Sequence, residues 1–376
     1  MLVLSIHSTH GLSRTLLMGL CISFIAGIID GAPYRQLQAL SSRSTTTYSQ
    51  EAGHNTQLNH HALRKDDDYE NDRYDGEVDI YKRMQPSTPP NSLASDPFAR
   101  YIYEKTLDAS NVQATSIRRT IVVGDIHGSL VGFEGFLNKV GFDSLQDSLI
   151  LAGDLVSKGP QSLEVIDKAR ALNAKCVRGN HDDKVIRWKG YLDSLDVAQG
   201  QASDDKNAQP TTIPADLIEN SEHHHIARSL SKEQYEYLLS CPLILTLPKE
   251  LSVRRIPVYV VHGGIDPRYG IEQQNPWVLL NVRNILQDGT PSRKKSKGDG
   301  WADMFNNLHS ERIGNGDPGF LLLYGHDASR SLNIKTWSIG LDSGCVYGRA
   351  LSGYVLETDQ VLTASCPDLN ISSSKD

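Results

Sequence analysis

Residues 118–128 read RRTIVVGDIHG, and residues 147–160 read DSLILAGDLVSKGP. Each runs β-branched or leucine residues into a glycine turn, which predicts a strand ending on a functional loop. Between them SLVGFEGFLNKVGF (129–142) carries apolar residues at helical spacing and a glycine stop at Gly141. QSLEVIDKARALNA (161–174) predicts a second helix, KCVRGNHDDK (175–184) a third strand and turn, and DDKVIRWKGYLDSL (182–195) a third helix. This βαβαβ order predicts a sheet with helices packed on it.

The pattern continues toward the C-terminus. Residues 196–222 are polar, with two prolines, and predict an inserted loop; a helix is expected from about Ile226 to Leu239. LILTLP (243–248) and VYVVHGG (258–264) predict strands, PWVLLNVRNIL (276–286) a helix and DGTPSRKKSKGDG (288–300) a loop. FLLLYGHDAS (320–329) predicts a strand and turn, and TWSIGLDSGCVYGRALSGYVLE (336–357) alternates as strands do.

Five strand ends therefore carry a metal-ligand type of residue beside glycine: GDIHG (124–128), GDLVSKGP (153–160), RGNHD (178–182), VHGG (261–264) and YGHD (324–327). Sites in open α/β sheets gather at the C-terminal ends of strands. Each match alone reads as readily as a structural turn or a satisfied core histidine; five after predicted strands do not. Oxygen and imidazole donors without thiolate suit Mn, Fe or Zn.

The order GDxHG, GDxVxxG, GNHD, HGG, GH resembles the calcineurin-like metallophosphoesterases of the phosphoprotein phosphatase superfamily, over about residues 118–358. The resemblance implies a four-layer α/β/β/α sandwich and two divalent metal ions. It implies Asp125 and His127 on the first metal, Asp154 bridging both, and Asn180, His262 and His326 on the second. His181 would be the general acid at the leaving oxygen, and Arg178 and Lys158 would bind phosphate. Paired cations stabilise the attacking and leaving oxygens of an in-line displacement and acidify a bridging water.

Protein serine/threonine phosphatases carry GDxVDRG, with an Asp that orients the catalytic histidine and an Arg that binds phosphate. Here Ser157 and Lys158 stand in those places, and LDSGCVYG (341–348) replaces their C-terminal motif. GDLVSKGP, NPWVLLNVRNI and LDSGCVYG resemble the ApaH-like, diadenosine-tetraphosphatase-like branch. With an N-terminal signal, the chain is similar to fungal vacuolar endopolyphosphatases, which implies inorganic polyphosphate as substrate and the vacuole as location. Dinucleoside polyphosphates, capped nucleotides and phosphoproteins are the alternative substrates, and an inactive scaffold is disfavoured by the intact ligand positions. The partner that positions His181 stays open at this point.

Lys184, Arg187 and Lys189 follow the RGNHD turn and are expected to grip a chain of phosphates. The basic run Arg293, Lys294, Lys295 and Lys297 reads as a solvated loop or as a steering patch. His223, His224 and His225 read as a loop leading into a helix rather than as a third metal site.

The formal net charge of −7 and a pI near 6.0 leave no basic excess for duplex nucleic acid. The apolar run 16–29 after Arg14 predicts a cleaved signal peptide or a signal anchor spanning residues 1–32, either of which directs the domain into the secretory pathway. Residues 33–97 are polar and predict a disordered linker, in which His54, His60 and His61 read as solvated. The catalytic domain is expected over 98–366, with a tail over 367–376. The five cysteines form no CxxC pair; in an oxidising lumen a bond such as Cys241–Cys366 would fit, and the sequon at Asn370 would report a lumenal C-terminus.

Overall fold

The computed structural model describes residues 96, 98–107, 118–200 and 212–369. The signal or anchor, nearly all of the linker, part of the 196–222 insertion and the sequon lie outside the described residues.

One sheet has the order β14-β13-β2-β3-β4. Its parallel centre is β2 (Arg119–Val123), β3 (Asp147–Leu151) and β4 (Lys175–Cys176), with β13 (Ala350–Val355) and β14 (Gln360–Ser365) added antiparallel. The second sheet has the order β1-β5-β6-β10-β12-β11. Its centre is β5 (Ile244–Leu247), β6 (Val258–Val260), β10 (Leu321–Tyr324) and β12 (Ser338–Gly340). Its edges are β1 (Glu104–Thr106) and β11 (Asn333–Ile334).

Alternation along the strands builds the layers. Val122, Ile150, Leu245, Val258, Val260, Leu321 and Leu323 point between the two sheets and form one core. Ile121, Val123, Leu149 and Leu151 point the other way, onto α1 (Leu130–Lys139), α2 (Ser162–Ala171) and α3 (Asn180–Gly200). On the far side Val261, Leu322 and Tyr324 pack beneath α6 (Pro276–Asn281) and α7 (Trp301–Gly314). The fold is the four-layer α/β/β/α sandwich. Strands covered on both faces carry apolar residues at nearly every position, which is why they read as continuous runs rather than alternating ones.

Three expectations change. The 222–240 region holds two helices, α4 (Glu222–Ser229) and α5 (Lys232–Ser240), the first capped by Ser221. The histidine triplet thus lies in the first turn of a helix instead of the loop before it. The predicted helix 276–286 stops at Asn281, and its remainder forms β7 (Asn284–Ile285), the centre of a small sheet between β8 (Pro291–Ser292) and β9 (Asp299–Gly300). The disulfides join Cys176 to Cys241 and Cys345 to Cys366, not Cys241 to Cys366. The first ties the end of β4 to the end of α5. The second ties the LDSGCVYG loop to the end of β14.

Candidate active site and metal centre

The turns after β2, β3, β4, β6 and β10 converge on one buried cluster. Asp125, His127, Asp154, His181, His262 and His326 are each at most 6% exposed. Three of these residues sit at positive φ: His127 (48°), Asp154 (50°) and His326 (74°). Left-handed backbone in non-glycine residues is costly and persists where the surroundings enforce it. Glycine makes the close approach possible, since a Cβ on Gly179 would overlap Asp154 Oδ1 and one on Gly325 would overlap Asp125 Oδ1.

Asp154 is the centre of the cluster. Its Oδ2 lies 3.4 Å from His127 Nε2 and 3.3 Å from His262 Nε2. Its Oδ1 accepts the backbone N–H of His181 at 2.9 Å. Asn180 Oδ1 lies 2.9 Å from His262 Nε2 and 3.0 Å from His326 Nδ1. Asp125 Oδ2 stands 3.8 Å from His127 Nε2.

The opposite ring nitrogens fix the tautomers. His127 Nδ1 donates to Val156 O at 3.1 Å, His262 Nδ1 to Ala152 O at 2.9 Å, and His326 Nε2 to Asn281 O at 3.1 Å. Carbonyl oxygens only accept, so these nitrogens carry the protons. The lone pairs of His127 Nε2, His262 Nε2 and His326 Nδ1 therefore face carboxylate and amide oxygens. Acceptors converging on acceptors suit cations between them, and Lys158 Nζ, 3.1 Å from His127 Nε2, already brings one positive charge there. Backbone carbonyls orienting histidine in this way are the usual second shell of a metal site.

The electrostatics of His127 and His326 agree. Burial, then the charge of Lys158, pushes the His127 imidazole down to about 3, so it stays neutral as a ligand must. Burial, then Arg283, holds His326 well below its usual range. Burial, then Asp342 and Asp154, pushes the Asp125 carboxyl well up. Burial also raises Asp154, but the His262 imidazole outweighs it and holds the carboxyl well below the ordinary value. Burial lowers His262, yet the Asp154 charge pulls it up in turn, a proton that a cation on His262 Nε2 would displace. Two divalent cations would relieve the carboxylate repulsion. Ligand atoms of Asp154, His262 and His326 lie within 4.8 Å of one another and could hold one cation, and those of His127, Asp154 and His181 are as close around the same Asp154.

The other anticipated residues divide. Lys158 Nζ lies 3.1 Å from His127 Nε2 and 5.7 Å from the centre of the Tyr347 ring, so its charge sits at the cluster. Arg178 does not: its guanidinium donates to Ala99 O (2.6 Å), Arg100 O (3.2 Å) and Asp183 (3.3 Å), and lies over Tyr101. It anchors the segment before β1 and is no phosphate clamp. Arg187 is likewise taken up by Asp183 (2.9 Å), Asp96 (3.0 Å) and Asp216. Lys189 pairs with Asp193, and the charge of Lys184 acts on Asp216. Arg187 and Lys189 are therefore corrected from phosphate-gripping to structural residues.

Four further residues lie at the site, of which Asp182 in the GNHD motif and His223 in the histidine triplet belong to stretches that the sequence marks out. Arg283 donates to the carbonyl of His326 at 3.2 Å and adds a cation beside the cluster. Asp342 is buried at the start of the LDSGCVYG loop, where burial raises its carboxyl. Asp182 accepts the N–H groups of Gly179 and Leu155, both at 3.0 Å, and so ties the second and third turns together. His223 lies 2.8 Å from His181. Asp342 follows Gly340, the glycine that ends β12, by two residues, whereas Arg283 has no such strand-end glycine before it.

Residues 118–220 match the family model of the calcineurin-like phosphoesterases. The chain is 28% identical over 296 residues to a symmetrical bis(5'-nucleosyl)-tetraphosphatase of Vibrio parahaemolyticus, covering 66% of this chain and 99% of that one. It is 31% identical over 295 residues to the enzyme of the same name from Coxiella burnetii (strain Dugway 5J108-111), covering 66% and 92%. A crystal structure of a protein described as a diadenosine tetraphosphatase superimposes with a TM-score of 0.52 at 29% identity, covering 71% of this chain and 99% of that chain.

Proposed function

The chain belongs to the calcineurin-like phosphoesterases, and from that premise we propose that it hydrolyses phosphoanhydride bonds with a dinucleoside polyphosphate as substrate. It is a metal-dependent phosphohydrolase, and its relatives are named for bis(5'-nucleosyl) tetraphosphates. The observation that carries the chemistry is Asp154 Oδ2 set between His127 Nε2 and His262 Nε2, at 3.4 and 3.3 Å.

Asp125, His127 and Asp154 would hold one cation, and Asp154, Asn180, His262 and His326 the other. Bound there, divalent cations supply charge against the phosphoryl oxygens and acidify the attacking water. The chain itself does the rest. Lys158 and Arg283 bring positive charge to the phosphate. His181, held by its backbone N–H on Asp154, offers a ring nitrogen as proton donor to the leaving oxygen. Asn180 contributes a neutral oxygen, which leaves the site net attractive to a polyanion.

Inorganic polyphosphate is the second reading. Two disulfides within the described domain support an oxidising compartment, in line with the apolar run 16–29. A secreted or vacuolar enzyme would meet polyphosphate more readily than a cytosolic signalling nucleotide.

The test compares diadenosine tetraphosphate, long-chain polyphosphate and a phosphopeptide at equal concentration with manganese or zinc. Symmetrical cleavage to two ADP, faster than either alternative, supports the first reading. Shortening of polyphosphate with little early free phosphate would favour the second. Preference for the phosphopeptide would overturn both.

A further inference from the structure

His181 Nδ1 lies 2.8 Å from His223 Nε2, and the two rings meet head-on, with centroids 5.0 Å apart and planes only 25° from coplanar. Protein serine/threonine phosphatases orient the equivalent histidine with an aspartate where this chain has Ser157. Ser157 does not replace that contact itself. Its hydroxyl donates to Glu222 Oε2 at 2.7 Å, and its N–H donates to Ser162 Oγ at 2.9 Å. Glu222 opens α4, and His223 is the next residue. The serine thus ties the second metal-binding turn to the helix that delivers His223.

The placement of His223 is set without His181. Ser221 caps α4 through the N–H of His224. His224, 5% exposed, stacks on Trp188 of α3 with centroids 4.4 Å apart and accepts the N–H of Asn220 at 2.9 Å. Since α3 begins at Asn180, the helix that carries His181 is the one on which α4 is clamped.

We propose that His223 is the positioning residue for His181, an imidazole acting where the protein phosphatases use a carboxylate. The inference rests on His181 being the proton donor of the proposed function. In the free chain burial, then the charge of Lys158, keeps His181 neutral. Its one proton sits on Nδ1 and is donated to the lone pair on His223 Nε2, while His223 carries its own proton on Nδ1. The negative charge of a bound phosphate then lets His181 Nε2 take a second proton from solvent. His181 Nε2–H is then held toward the cluster. As the new P–O bond forms, the bond to the leaving group breaks with its electron pair on oxygen. That oxygen takes the Nε2 proton, and solvent reprotonates His181 with the proton lost by the attacking water.

The test is the dependence on leaving group. Phenyl phosphate needs a proton on its leaving oxygen, and 4-nitrophenyl phosphate hardly does. His223→Ala is expected to lower kcat for phenyl phosphate about 10- to 100-fold, within the range that general acid catalysis supplies, and for 4-nitrophenyl phosphate less than about 3-fold. KM and bound metal stay as in the wild type, and His223→Asp recovers most of the lost rate. Glu222→Gln, at the exposed start of α4, shifts the ratio in the same direction by less. In the metal-free chain, the imidazole nitrogen resonances of His181 are expected to report one tautomer, and a mixture in His223→Ala. If His181→Ala lowers the phenyl phosphate rate while His223→Ala leaves both the leaving-group ratio and the His181 resonances unchanged, this inference alone is overturned. Equal loss on both substrates also overturns it, because that is the mark of a purely structural residue. A metal-loaded wild type inactive on every phosphate ester and anhydride overturns the proposed function and this inference together.

Discussion

The backbone N–H of His181 donates to Asp154 Oδ1 at 2.9 Å, so the carboxylate between the two half-sites also fixes the start of the helix that carries the proton donor. In the proposed function, metal binding and acid catalysis are therefore coupled through one side chain. Displacing Asp154 should disturb both, whereas displacing His181 should spare the metals.

His181→Ala is expected to retain its metal content and lose about 10²- to 10⁴-fold in kcat on diadenosine tetraphosphate. Metal analysis together with steady-state kinetics checks this. Loss of metal in His181→Ala would instead assign His181 as a ligand.

Gly179→Ala tests the close approach of the turn to Asp154. A Cβ there would overlap Asp154 Oδ1 and the Asp154 backbone nitrogen. Metal affinity should fall by about 10- to 100-fold or more, the scale seen when the groups that hold ligands are disturbed. Titration of the metal-free protein with zinc or manganese measures it.

Arg187→Ala should unfold more readily and yet keep its KM. Arg187 bonds Asp183, Asp96 and Asp216, and removing it leaves the buried Asp183 carboxylate without that partner. The expected cost is about 3–5 kcal/mol, read by urea denaturation. A raised KM for phosphate substrates at unchanged stability would restore the phosphate-gripping role that its geometry denies.

Acid stability should depend on the Arg119–Asp147 pair. Burial alone raises the Asp147 carboxyl, but hydrogen bonds from Arg119 and from the N–H of Asp143 pull it below the ordinary value. A depressed folded pKa contributes stability that is complete above the unfolded pKa of about 3.9 and is lost as pH falls through the folded pKa. Asp147→Asn should therefore lower stability at neutral pH and flatten its decline below about pH 4. Denaturation curves across that range, for wild type and variant, decide it.

What was legible in the sequence was local. Asp125, His127, Asp154, Asn180, His262 and His326 each sit within a few residues of a strand and a glycine, so strand period and turn chemistry locate them without knowledge of the rest. What was missed depends on contacts between distant residues. Arg178 looks like an active-site arginine from its place in RGNHD, but its partners, Ala99 and Arg100, come from a segment 79 and 78 residues earlier. His223 meets His181 across 42 residues, from a helix whose first turn, Glu-His-His-His, shows no apolar spacing. The disulfide partners are 65 and 21 residues apart, and no spacing rule pairs them. The layers of the sandwich came from the resemblance, because βαβ periodicity alone does not say that a second sheet covers the first.

The proposed function rests on two divalent ions that Asp154 would share and on phosphoanhydride hydrolysis at that centre. The direct measurement is metal stoichiometry and diadenosine tetraphosphate hydrolysis in the wild type and in Asp154→Ala, prepared identically. The wild type should bind two divalent ions per chain and lose its activity to chelator. Asp154→Ala should lose both ions and more than about 10³-fold in kcat, the scale of removing preorganised charge from a reacting centre. Full activity in Asp154→Ala, or a wild type that turns over after complete metal removal, would contradict the claim.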